Sequence, residues 1–120
     1  MNLKINVLGT EYTISRFDYN QKPIFEKNGI GGYCDEITKE IVLCNLRTHP
    51  IYADDTDEYC RLAEKMCLRH EIVHAFFNES GLSHSSLQYE NGWAKNEEMV
   101  DWIAIQFQKL LQAFKDADCM

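Results

Sequence analysis

The stretch that most constrains this chain is His70-Glu71-Ile72-Val73-His74. Two histidines four residues apart leave one face of a helix a single turn apart, close enough to grip one ion. Imidazole suits zinc (Zn2+), and a zinc that does chemistry keeps three protein ligands and one open position. Glu71 lies between the histidines, where its carboxylate can act as general base toward an attacking water. The pattern has only three fixed positions, so an amphipathic helix with two half-buried histidines also produces it. The metal reading therefore needs a third ligand from elsewhere in the chain.

At 120 residues the chain suits one domain, residues 1–120, with one core. A net charge of -7 excludes binding to a phosphate backbone as the main activity, so no nucleic-acid partner is expected. No apolar run reaches the length of a membrane span. Residues 1–6 alternate like a strand and lack the apolar block of a signal peptide, so no membrane partner and a cytoplasmic location are expected. The five cysteines, Cys34, Cys44, Cys60, Cys67 and Cys119, are an odd number without C-x-x-C spacing. They read as free thiols in a reducing compartment rather than as a zinc site.

Leu3, Ile5 and Val7 alternate, and residues 11–17 alternate again after Gly9-Thr10, which predicts an opening β-hairpin. Residues 18–32, with Pro23, Gly29, Gly31 and Gly32, predict a loop with a helical turn near 24–27. Residues 33–37 and 40–45 predict two more strands; a hairpin centred on Lys39 sets Cys34 opposite Cys44. Residues 46–57 read as a loop whose acidic run, Asp54-Asp55-Thr56-Asp57, leads to a helix N-cap and lacks the spacing of an EF-hand.

A helix is predicted over residues 58–79, with Leu62, Met66, Val73 and Phe76 on its buried stripe and His70 and His74 at the stripe's border. Gly81 suits the position just past its end. Residues 82–92 read as a loop beside the site, where His84 and Tyr89 are candidates to meet a substrate or an oxyanion. A last helix over 94–114 carries the apolar stripe Val100, Ile103, Ala104, Phe107, Leu110, Leu111 and Phe114.

That helix offers the third ligand. At about 100° per residue, Glu97 sits roughly 80° from the centre of the apolar stripe and Glu98 nearly opposite it. Glu97 thus faces the edge of the core and Glu98 faces solvent. Asp101, one turn after Glu97, can accept a hydrogen bond from a ligand histidine and so hold its tautomer.

H-E-x-x-H followed by Asn96-Glu97 and Asp101 on a later helix resembles the gluzincin metallopeptidases. Within them it is most similar to the small ImmA/IrrE-type proteins of phages, prophages and other mobile elements. Their second motif has a ligand Glu, an Ala-Asn pair and then Phe-Ala. This chain has Glu97, Val100-Asp101 and Ile103-Ala104 at those places. The resemblance covers about residues 58–111 and, more loosely, the strands before them. It implies a zincin-like minimal metallopeptidase core, with His70, His74 and Glu97 as zinc ligands and Glu71 as general base. Asp101 in place of Asn departs from the pattern and is similar to the aspartate of thermolysin. Some relatives carry a DNA-binding helix-turn-helix; no such segment is read here. Relatives with known roles cleave a repressor, so the resemblance implies a protein or peptide substrate, with a repressor as one candidate.

The expected fold is α+β, a small and mostly antiparallel sheet packed on two main helices. Residues 41–44 are expected at the sheet edge, where an extended peptide can add as a strand. A zinc-dependent peptidase leads. A non-catalytic, zinc-stabilised phage protein that binds a host protein, and a metal-free structural domain, stay open beside it.

Overall fold

The computed structural model describes residues 2–29, 31–85 and 93–120. The opening hairpin is present as β1, Leu3–Val7, paired antiparallel with β2, Thr10–Asp18. A short helix α1, Pro23–Asn28, fills the expected loop and starts on the proline whose fixed φ suits a first helical residue. A second hairpin follows: β3, Gly32–Asp35, antiparallel to β4, Glu40–Asn45. The Asp35 carboxylate accepts from the backbone N–H groups of Ile37 and Thr38 (2.9 and 3.1 Å) and turns the chain between them.

The sheet order is β1-β2-β4-β3, with β2 and β4 parallel. The fold is thus α+β with a mixed sheet whose other two pairings are antiparallel. Two expectations are corrected here. Residues 41–44 lie at the centre of the sheet, and β3 is the edge strand beside them. Ile41, Val42, Leu43 and Cys44 are all buried, so β4 is covered on both faces, as an unbroken apolar run requires. Cys34 lies opposite Ile41, not Cys44, because the turn spans residues 36–39 and shifts the register; all five cysteines are free.

Ile14, Ile41 and Leu43 on one face meet helix α2, Asp57–Glu79. Val42 and Cys44 on the other face meet Phe25 of α1 and Cys60. Helix α2 begins on Thr56, whose hydroxyl accepts from the Tyr59 N–H at 3.1 Å, and stops before Gly81 at φ 84°. Its buried face differs from the expected stripe. Cys67, Leu68, Ile72 and Ala75 pack on the sheet, whereas Leu62 and Met66 are 49% and 48% exposed and Phe76 is exposed as well. The small residues face inward because the helix lies close against the strands.

Two carboxylates clamp α2 to the sheet. Glu64 accepts from Arg16 Nε and Nη2, both at 2.9 Å, and from the Leu46 N–H. Glu79 accepts from Thr10 Oγ1, Tyr12 Oη and Lys39 Nζ at 3.0, 2.7 and 2.6 Å. The orientation of the intervening helical face is thereby set.

Beyond a four-residue helix α3, Leu82–Ser85, helix α4 runs Glu97–Asp116 and packs on α2. It starts three residues later than expected because Trp93–Lys95 forms a 3-10 turn and Asn96 caps the helix, its side chain accepting from the Met99 N–H at 2.9 Å. Among its apolar residues only Val100 and Ala104 are buried. Phe107 and Phe114, expected in the core, are exposed.

Candidate metal centre

His70 and His74 project from the face of α2 that turns toward α4. Each side chain is 20% exposed, and the rings meet edge to face with centroids 4.8 Å apart. From α4, the carboxylate of Glu97 reaches both, with Oε2 2.8 Å from His70 Nε2 and Oε1 3.1 Å from His74 Nε2. The two Nε2 atoms are 3.1 Å apart. The three ligand atoms therefore converge on one point, and the group can hold a metal ion.

The donor chemistry fits a divalent cation. Ligand atoms around a tetrahedral zinc sit about 3.4 Å from one another, close to the separations found here. His70 Nδ1–H donates to Asp101 Oδ1 at 2.6 Å, since a carboxylate only accepts, so Nε2 is the ring nitrogen turned toward His74 and Glu97. Burial is the main cause that lowers the pKa of His74 and keeps that ring neutral, opposed by the nearby Glu97. Two imidazole nitrogens and a carboxylate oxygen thus meet at one point.

Glu71 does not join the ligand set. It is 8% exposed, and burial is the largest cause that pushes its pKa up to about 7, with His70 opposing and Glu97 and Asp101 adding. A carboxylate held there is tuned for proton exchange near neutral pH. Glu98 is exposed on the far side of the first turn of α4, as the helical phase predicts.

Two clefts flank the centre, of about 280 and 520 Å3, and share Gly32, His70 and Glu71. They form one trough along β3. Cys44 N–H donates to Gly31 O, so the bonded positions of β3 toward β4 are residues 31, 33 and 35. The backbone N–H and C=O groups of Gly32 and Cys34 therefore point away from β4, toward the trough. A Cβ on Gly32 would lie 2.9 Å from Val42 O, so no side chain fits there.

The sequence reading missed Gly32, Cys34, Cys67 and Asn78 as wall residues. Only the sheet order reveals Gly32 and Cys34, since it makes β3 the edge, whereas Cys67 and Asn78 follow from helix spacing, three residues before His70 and four after His74. Burial raises the pKa of both thiols, Cys34 to about 12, which keeps them protonated and poor ligands for a metal ion. Of the two loop candidates, His84 falls in α3 with its side chain outside the described residues, and Tyr89 lies wholly outside them.

Among the described residues no helix is long and apolar enough to cross a membrane. Comparisons of the chain with protein-family models, curated proteins and solved structures find no match.

Proposed function

We propose that this chain is a zinc-dependent metallopeptidase of the gluzincin type, acting on a protein or peptide segment in the cytoplasm. The observation that carries the reading is the convergence of His70, His74 and Glu97 beside a buried Glu71, in a trough bordered by an open strand edge. Zinc held by the three residues supplies a Lewis acid for a carbonyl oxygen and for water. Glu71 takes a proton from the attacking water and passes it to the leaving amine. Asp101 holds the His70 tautomer that leaves Nε2 free to bind. Gly32 and Cys34 offer backbone groups to an extended substrate, which adds as a strand beside β3. This support extends to a phage or prophage setting and a repressor substrate only through the motif resemblance.

The test joins elemental analysis with cleavage of a peptide library. The parent protein should carry one zinc per chain and cleave. Glu71→Gln should keep the zinc and lose about a hundredfold to ten-thousandfold in turnover. His70→Ala should lose metal and stability together. A chain that neither holds zinc nor takes it up sinks the metal centre. A zinc-loaded parent that cleaves nothing, or a Glu71→Gln variant as fast as the parent, leaves the non-catalytic binding protein as the better account.

A further inference from the structure

The face of α4 that meets α2 through Val100 and Ala104 continues past that contact. Along it, Val100, Ile103, Phe107, Leu110 and Phe114 alternate at spacings of three and four, the seam spacing of paired helices. Phe107 is 53% exposed and Phe114 45%. Beside them, Val73 and Phe76 of α2 complete an apolar groove of about 390 Å3 with Ile103 and Phe107.

We infer that the protein forms a homodimer in which the C-terminal half of α4 packs antiparallel on α4 of a second copy. A seam of this spacing asks for a helix, and the same stretch is its own complement. With the two-fold axis between residues 108 and 109, Ile103 meets Phe114 of the other copy and Phe107 meets its Leu110. Each of these four residues is then used twice, as an isologous contact requires.

Charge argues for a second copy over a foreign partner. Partner choice in paired helices is written in charges beside the seam. Here those flanks are Ala104, Gln106, Leu111 and Ala113, all uncharged. Two chains of net charge -7 can therefore close on this face, because its neighbours repel nothing. The area agrees. Half-exposed Phe76, Phe107 and Phe114, with the partly covered aliphatic residues between them, offer roughly 450 Å2 of apolar surface. A standard interface takes about 800 Å2 from each partner, a little over half of it apolar. The contact also braces α4, the helix that brings Glu97 to the two histidines.

Sedimentation equilibrium of the full chain tests this. The expected mass is twice 14.0 kDa, falling toward one chain on dilution. Phe107→Asp and Phe114→Asp should each weaken the dimer at least about tenfold. Ile105→Ser, on the opposite face and 47% exposed, should leave it unchanged. Phe114 lies beyond the contact with α2, so its variant should keep the parent's circular dichroism even if Phe107→Asp unfolds. A single-chain mass up to about 200 µM overturns the proposal, as does a mass above two chains or a dimer that survives Phe114→Asp.

Discussion

Strand β4 is buried on both faces, whereas α4 is buried along a strip that comprises Val100 and Ala104. The candidate metal centre is shared between these two unequal regions. His70, His74 and Glu71 stand on α2, which is clamped to the sheet by Glu64 and Glu79. Glu97 and Asp101 stand on α4, which leans on α2. The difference teaches that Glu71 and two of the candidate ligands come with the core, while the third depends on how firmly one helix is docked.

The comparison breaks most visibly in stability. Ile41→Ala opens a cavity in the doubly covered strand and should cost about 2–5 kcal/mol in urea denaturation. Ile105→Ala on α4, already 47% exposed, should stay within about 1 kcal/mol. Equal losses would mean that α4 is as much a part of the core as β4.

A smaller effect sharpens the dependence on α4. Asp101→Ala removes the acceptor at His70 Nδ1 and should lower zinc affinity about 10-fold to 100-fold, read by competition with a chelating dye. Glu98→Ala, one residue from Glu97 but turned to solvent, should leave affinity unchanged. A reversal of the two would show that the phase of α4 differs from the one described.

The smallest effect concerns the clamp at Glu79. Its pKa is lowered, first by the hydrogen bond from Lys39 and next by that from Tyr12. A folded pKa below the unfolded one gives stability that is present above the unfolded value and lost as pH falls through the folded one. Glu79→Gln should therefore cost about 1–2 kcal/mol at neutral pH, with Lys39 partly exposed, and the deficit should shrink on acidification. A deficit that grows in acid would remove Glu79 from the clamp.

Much of the site was legible because it is local. The spacing of His70 and His74, and the phase that separates Glu97 from Glu98, follow from helix geometry alone. The strand periods around Ile5 and Ile14, and the apolar run around Val42, were equally plain. What escaped is set by distant pairing. The β-branched apolar run in residues 40–45 says strand but cannot say that β2 will lie beside it in parallel. The inward face of α2 was misread because Leu62 and Met66 outweigh Cys67 and Ala75 in any hydrophobic count, while close approach to the sheet selects the small residues.

The parallel pair at the heart of the sheet carries a consequence for time. Thr13 pairs with Glu40 and Asp18 with Asn45, across everything that lies between. Hairpins β1-β2 and β3-β4 close over a few residues each and can form quickly on their own. Joining them requires a long loop containing α1 to be drawn shut before the contact repays the lost freedom. Until then β4 has one bare edge, and the sheet face that α2 covers does not exist. The histidine pair can form with its helix at any moment, but the wall of the trough has to wait for the slowest closure in the chain.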